Sequence, residues 1–112
     1  MNEPLDRERL QHILEACREI QDFLDDVDRT NFNKSRILQR AVEKDLEIIG
    51  EAASNLSEPT KQKLSNIPWK EIIGMRNILI HVYFDVELDT IWKTVRNDIP
   101  KLREQIERVL EK

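Results

Sequence analysis

Apolar residues recur at alternating intervals of three and four along most of this chain. That spacing places them on one face of an α-helix, whereas a half-buried strand would alternate apolar and polar residues. Only two glycines and four prolines occur among the 112 residues. The pattern therefore predicts an all-α fold, formed as a single helical domain over residues 1–112. The first apolar stripe consists of Leu10, Ile13, Cys17, Ile20, Leu24 and Val27.

The stripes predict four main helices and one short helical turn, which short links would join into an antiparallel bundle. Asparagines or Thr30 in the polar stretch 28–33 would supply the N-cap of the second helix. Pro100 would normally end a helix, but the apolar positions stay in phase across it, which favours one kinked last helix. The main helices are expected at about 6–27, from the polar stretch to about 56, at 69–81 and from 88 onward, with the short turn at 60–65 and a link at 84–87.

The charge balance is acidic overall and basic in one stretch. The formal net charge of −4 argues against a general nucleic-acid coat, because such binding depends on neutralising phosphates. Between residues 60 and 83 the balance reverses, which predicts a local basic site. The charged residues of that stretch are Lys61, Lys63, Lys70 and Arg76 against Glu71.

The cysteine content and the absence of long apolar runs bound the class of protein. The single cysteine, Cys17, excludes a disulfide framework and a cysteine-based metal site, and its position on an apolar stripe predicts a buried structural thiol. No signal peptide or membrane-spanning run is visible, so we expect a cytoplasmic protein without a membrane partner.

The segment 76–83 concentrates polar chemistry in an otherwise apolar stretch. At about 100° per residue, Asn77 and His81 stack one turn apart, while Arg76 and Tyr83 share a second line along the helix. Arg76 also falls on the face of the third predicted helix that its apolar residues mark as core-facing. An inward guanidinium must find a partner or line a cleft.

A second inward charge lies on the second predicted helix. Asp45 occupies the middle of an apolar arc that covers about half the circumference of the helix. We therefore expect Asp45 and Arg76 to face each other or to share a polar pocket, either as part of a site or as a purely structural ion pair. The width of the arc also makes a subunit interface plausible.

Three runs of the sequence carry a resemblance to a known family. The runs are 47–52 (EIIGEA), 67–81 (IPWKEIIGMRNILIH) and Tyr83. Together they resemble the HepT-like branch of the HEPN superfamily, and the resemblance covers nearly the whole chain. The Arg-x4-His spacing alone is a weak signal, but combined with the flanking runs and the chain length it is a strong one.

The resemblance implies a HEPN-like helical domain that acts as a metal-independent endoribonuclease. It further implies the toxin component of a prokaryotic toxin–antitoxin pair, which acts as a homodimer beside an MntA-like nucleotidyltransferase antitoxin. On this reading Arg76 and His81 are catalytic, Asn77 is the adjoining polar residue of the motif, and Tyr83 is the site at which the antitoxin transfers adenylyl groups. Val82 departs from the family pattern, in which a small residue is expected at this position.

The chemistry of these residues agrees with RNA cleavage. RNA carries its own nucleophile, the 2′-hydroxyl, so cleavage needs a proton-transfer group that titrates near neutral pH and a cation that stabilises the charge on the phosphate. The imidazole of His81 suits the first role and the guanidinium of Arg76 the second. Asn77 would orient the imidazole or bind substrate. A nucleotide on Tyr83 would oppose RNA binding through its bulk and negative charge.

No cofactor is expected, and no set of metal ligands is visible, because His12 and His81 are far apart in sequence and lack carboxylates at suitable spacing. Two alternatives remain open at the level of sequence. The first is a non-catalytic nucleotide- or RNA-binding or adaptor module that partners a nucleotidyltransferase. The second is a buried polar network that only fixes the register of the helices.

Overall fold

A computed structural model describes residues 3–80 and 85–111 of the chain, together with the side chains of 5–76 and 88–111. The described part is almost entirely helical, which confirms the all-α prediction. Its elements are α1 (Glu3–Phe23), α2 (Arg29–Lys34), α3 (Arg36–Ser54), α4 (Glu58–Lys63), α5 (Trp69–Ile80), α6 (Asp85–Lys93), a π-helical turn (Thr94–Asp98) and α7 (Ile99–Leu110). None of these helices is both long and apolar enough to cross a membrane.

α1 and α3 organise the bundle. α1 packs against α3 and α7, and α3 packs in turn against α5. α1 and α7 are antiparallel, since Arg7 near the start of α1 donates to the carbonyl of Leu110, and Arg18 further along α1 pairs with Glu107 at 2.9 Å. The core contains large side chains that are fully buried, among them Ile13, Ile20, Phe32, Leu46, Ile49, Ile91, Ile99 and Ile106.

Contacts with other helices of the bundle account for most of the wide apolar arc of α3. Because α3 is covered by α1 on one side and α5 on the other, Val42, Leu46 and Ile49 are all fully buried. At the start of the helix, Ile37 is 83% exposed. The arc therefore does not by itself require a second subunit, and the homodimer stays a prediction.

The first predicted helix ends earlier than expected. α1 stops at Phe23 instead of about 27, and Asp26 adopts a left-handed backbone with φ of 59°. Asp22, Asp25 and Asp26 place three carboxylates at the negative end of the helix dipole, which disfavours continuation. Arg96 then fixes the link by donating to the carbonyls of the α1–α2 connection.

Contrary to the prediction from the sequence, the polar stretch 28–33 does not supply the N-cap of the long second helix. Most of it forms the short helix α2, whose N-cap is Asp28, with its carboxylate accepting from the backbone N–H of Asn31 at 2.8 Å. α3 is capped by Ser35, which accepts from the N–H of Leu38 at 3.2 Å, and not by an asparagine or Thr30. A short polar side chain can cap a helix wherever the chain turns, so composition alone did not fix the position of the cap.

The last helical segment is continuous across Pro100, as predicted. Pro100 cannot donate to the carbonyl of Arg96, and its ring crowds that carbonyl. The backbone absorbs the defect in the π-helical turn, where the N–H of Ile99 bonds to the carbonyl of Thr94. Lys93, Asp98 and Ile99 all keep right-handed helical backbone angles. The segment begins at Asp85, inside the predicted link 84–87.

A buried carboxylate joins the beginning of α1 to the α3–α4 corner. Asp6 is 2% exposed and accepts from the N–H of Ser57 at 3.1 Å, the hydroxyl of Ser57 at 2.6 Å and the hydroxyl of Thr60 at 2.5 Å. Burial acts to raise the pKa of Asp6, but these hydrogen bonds outweigh it, and the pKa lies below its ordinary value. The network fixes the α3–α4 corner against α1.

Candidate active site at the C-terminal end of α3

Arg76 crosses from α5 to the last turn of α3. Its Nη1 donates to Oε2 of Glu51 at 2.6 Å, and the hydroxyl of Ser54 lies 3.4 Å from the same nitrogen. Both partners belong to the C-terminal turn of α3, where the helix dipole also favours a cation. The guanidinium is therefore held in place by one carboxylate, one hydroxyl and the end of a helix.

Gly50 makes this approach of the two helices possible. A Cβ atom at position 50 would lie 2.3 Å from Cγ of Arg76 and 3.2 Å from its backbone nitrogen. Cγ is close to the backbone, so it cannot move aside without a shift of α5 or a new path for the arginine side chain. The missing side chain at position 50 thus sets where Arg76 lies.

Arg76 stays within reach of solvent. Its side chain is 38% exposed, and that of Glu51 is 60% exposed. Among the described residues, only Nη1 of the guanidinium has a hydrogen-bond partner. Nε and Nη2 therefore offer donors that a phosphate could engage, since an arginine presents five N–H groups in a planar fork.

The predicted pairing of Asp45 with Arg76 is wrong. Asp45 is 3% exposed, as its place in the apolar arc predicted, but its Oδ2 has no hydrogen-bond partner, and the cation pairs with Glu51 instead. Burial and the neighbouring carboxyl group of Glu19 raise the pKa of Asp45 to about 7. The physical reason is that Asp45 faces α1, where the nearby titratable groups are Glu19 and Cys17.

The other predicted site residues lie at or beyond the end of α5. Asn77 directly follows Arg76 on the α5 backbone, and its side chain lies outside the described residues, as do His81, Val82 and Tyr83 altogether. The structure therefore fixes one member of the predicted site, Arg76, and the helix that leads to the others.

Neither a metal centre nor a reactive thiol emerges from the described side chains. No group of three or more histidine, cysteine or acidic side chains lies in a metal-binding arrangement within 5–76 and 88–111. Cys17 is fully buried, and burial raises the pKa of its thiol to about 12, so this cysteine is a structural residue.

Comparison with known protein families identifies the chain. A model of the family described as ribonuclease HepT-like matches residues 13–109. The chain belongs to this HepT-like family. The match extends from the middle of α1 to the last turn of α7, so it includes every element that positions Arg76.

Relatives from several organisms cover nearly the same length. A protein of Methanocaldococcus jannaschii named "Putative RNase MJ1380" is 40% identical over 89% of this chain and 92% of its own. One of Caldanaerobacter subterraneus named "Putative RNase TTE0752" is 42% identical over 95% of each chain. A third, "Probable ribonuclease HepT" of Thermococcus cleftensis, is 39% identical over 92% of this chain and 94% of its own. No solved structure matches the chain.

Sequence reasoning missed Glu51, Ser54 and Gly50, which surround Arg76 in the candidate site. A signal for two of them was present, because Gly50 and Glu51 lie in the run 47–52 on which the family resemblance rests. A glycine inside a helical pattern often marks a close approach of two backbones. Ser54 gave no signal, since serine at the end of a helix is common and its contact with Arg76 depends on the packing of α5.

Proposed function

We propose that the protein is the toxin component of a prokaryotic toxin–antitoxin system and cleaves RNA as a metal-independent endoribonuclease. The observation that carries the proposal is the half-exposed guanidinium of Arg76, which Glu51 and Ser54 hold at the end of α3 in a chain of the ribonuclease HepT-like family. Three relatives of nearly the same length carry RNase or ribonuclease in their names.

The proposed reaction uses the 2′-hydroxyl of the RNA as the nucleophile. The 2′-oxygen bonds to the adjacent phosphorus while the bond from phosphorus to the 5′-oxygen of the next nucleotide breaks. His81 moves a proton in this step, because an imidazole titrates near neutral pH. Arg76 stabilises the negative charge that develops on the phosphate oxygens, and Asn77 orients the imidazole or the substrate.

Glu51 is compatible with this role for Arg76. A half-exposed ion pair contributes little stability, so a phosphate can compete for the guanidinium at low cost. The fork of Arg76 can also keep Nη1 on Glu51 while Nε and Nη2 bind phosphate oxygens. Glu51 then fixes the direction of the guanidinium and leaves its outer edge to the substrate.

The proposed control is covalent. An MntA-like nucleotidyltransferase antitoxin adenylylates Tyr83 in the cytoplasm, and the added phosphate charge competes with RNA for Arg76. A homodimer would bring two copies of the motif to one RNA-binding cleft. Mass spectrometry of the peptide that contains Tyr83, after incubation with the antitoxin and ATP, should detect the adenylyl group in the parent and not in Tyr83→Phe.

RNA cleavage in excess EDTA tests the proposed activity. We expect the unmodified parent to cleave, and His81→Ala and Arg76→Ala each to lose at least about 100-fold in rate, as expected when a general acid–base or a charge-stabilising group is removed. His12→Ala is the matched control, because His12 is exposed on α1, and it should cleave like the parent.

Three results would count against the proposed activity. Cleavage that persists in both active-site variants would remove the assigned roles, and cleavage that EDTA abolishes would overturn metal independence. A folded, unmodified parent that binds RNA without cutting it would favour the alternative, a non-catalytic HEPN binding or adaptor module beside a nucleotidyltransferase.

A further inference from the structure

A shallow groove of about 510 Å³ runs between α4 and α5. Two lysines line it, Lys61 from α4 and Lys70 from α5, and the only acid in its lining is Glu58. Lys70 is exposed, whereas the side chain of Lys61 is 17% exposed and its Nζ forms an ion pair with Oε1 of Glu58 at 3.1 Å. The charged residues of the groove therefore sum to +1 on a chain whose net charge is −4.

Three other grooves on the described part of the molecule have the opposite sign. The groove between α1 and α3 is lined by two bases and three acids. The groove between α5 and α7 has Lys101 against Glu71 and Asp98, and the one beside the π-helical turn has Arg96 against Asp25 and Asp26. Each sums to −1, so the α4–α5 groove stands apart from them in its charge.

The α4–α5 groove also leads toward the proposed catalytic motif. Lys70 and Ile73 line it from the same side of α5. On a helix, position 77 continues the line of positions 70 and 73, and it lies about 10 Å along the axis from position 70. The backbone of Asn77 therefore continues the groove along the same face of α5, toward the end of the helix.

We infer that the α4–α5 groove binds the phosphate backbone of single-stranded RNA next to the cleaved position, an inference that rests on the proposed ribonuclease function. Lysines bind phosphates as point charges without reading sequence. Half-buried Ile73 gives the groove an apolar floor on which a base can lie. Trp69 also lines the groove and is held in place there, since it is 7% exposed and its indole N–H donates to the carbonyl of Leu64 at 3.1 Å.

The test measures binding of a fluorescent single-stranded 2′-O-methyl RNA oligonucleotide by anisotropy. This probe lacks the 2′-hydroxyl nucleophile, so the unmodified parent cannot cut it by the proposed reaction. Lys61→Gln/Lys70→Gln should weaken binding at least about fivefold near 0.1 M salt and reduce the slope of log affinity against log salt by about 1–1.5. Lys70→Gln alone should give about half of the effect.

Lys34→Gln/Lys101→Gln is the matched control. It removes the same number of charges from two exposed lysines outside the α4–α5 groove, Lys34 on α2 and Lys101 on α7, and it should change the affinity less than about twofold. Equal weakening by both double variants would show that only net charge matters and would overturn the inference. Normal RNA binding by Lys61→Gln/Lys70→Gln would overturn it too, and loss of antitoxin binding in that variant would then assign the groove to the protein partner.

The outcomes separate this inference from the function on which it rests. If the parent cleaves RNA and loses that activity in Arg76→Ala, while Lys61→Gln/Lys70→Gln binds normally, the groove assignment fails and the function stands. If the parent neither binds nor cleaves RNA, both fail. Lys70→Gln keeps the test valid should the double variant unfold, because Lys70 is exposed and pairs with no described residue.

Discussion

Two acidic residues of α3, one in the middle of the helix and one at its C-terminal end, have opposite environments. Asp45, in the middle, is buried without a cation, and its pKa is raised to about 7. Glu51, less than two turns later, is exposed and binds Arg76 at 2.6 Å. Asp45, which the sequence predicted to face the core, therefore does not pair with Arg76.

The difference follows from the cost of burying charge. An ion pair formed at Asp45 would have to dehydrate a guanidinium in the core, whereas the pair at Glu51 leaves both groups partly hydrated. The exposed pair adds little stability, but it keeps the cation where a substrate can reach it. Burial and Glu19 instead raise the pKa of Asp45 to about 7, so its charge depends on the pH and not on Arg76.

The largest effect is expected from adding a side chain at position 50, where α5 packs closely against the C-terminal end of α3. Gly50→Ala should displace Arg76, destabilise the protein by about 1–3 kcal/mol and reduce RNA cleavage by on the order of 100-fold. Gly74→Ala is the control, because nothing lies within 4 Å of its added Cβ. It should keep activity and gain up to about 1 kcal/mol from reduced backbone entropy.

Thermal melts measure the stability of the two alanine variants, and cleavage assays measure their activity. Similar activity in both would mean that the close contact at position 50 does not position Arg76. The site would then have to depend on Glu51 and Ser54 alone.

An intermediate effect on stability is expected from substitution of Asp45, in the middle of α3. The pKa of Asp45 is raised by folding, so its contribution to stability is fully present below the unfolded pKa near 4 and is lost as the pH rises through about 7. Asp45→Asn cannot ionise, so its stability relative to the parent should rise by about 1–2 kcal/mol between pH 5 and pH 8. Urea unfolding at both pH values measures this difference.

Glu19→Gln provides the control for that pH dependence. It removes the acidic neighbour that helps to raise the pKa of Asp45, so the loss of stability should still begin near pH 4 but end at lower pH, and its total should be smaller. Parallel stability–pH curves for the parent and Asp45→Asn would show that Asp45 titrates normally, and the contrast between the two regions of α3 would then disappear.

The smallest effect on stability is expected from substitution of Glu51, at the exposed C-terminal end of α3. Glu51→Gln should change the free energy of unfolding by less than about 1 kcal/mol, because the ion pair is half-exposed and the amide oxygen can still accept from Arg76. With the negative charge removed, RNA should bind more tightly, and we expect KM to fall about two- to fivefold with little change in kcat.

Glu51→Ala separates the charge of Glu51 from its positioning role. It removes the acceptor as well as the charge, so kcat should fall even though the net charge matches that of Glu51→Gln. Identical kinetics in the two variants would show that Glu51 does not orient the guanidinium.

The main helices could be predicted because each depends on a pattern that is local in the chain. The stripes of α1, α3, α5 and the last helical segment follow the helical period directly, and Pro100 did not interrupt the phase. The errors lie at boundaries, where the left-handed Asp26 and the caps Asp28 and Ser35 decided the outcome. A cap or a turn depends on single hydrogen bonds, which periodicity does not encode.

At the candidate site, too, local features could be predicted from the sequence, whereas contacts between helices could not. Local sequence identified Arg76 as a cation that needs a partner, and the partner proved to be an acid from a different turn of α3 than expected. The helical period marked Asp45 as facing the core, whereas Glu51 is exposed and gave no sign on the sequence that it would meet a cation from another helix. Only the contact between Gly50 and Arg76 places the guanidinium at Glu51.

By itself the sequence determined the helical class, the apolar faces, the basic stretch around Arg76 and the likeness to HepT-like proteins. These properties depend on neighbours a few residues apart, so they can be read along the chain. The tertiary structure alone decided which acid binds Arg76, why the pKa of Asp45 is raised, and which groove contains lysines of both α4 and α5. Those outcomes depend on how closely separate helices approach, and packing across the whole bundle sets that distance.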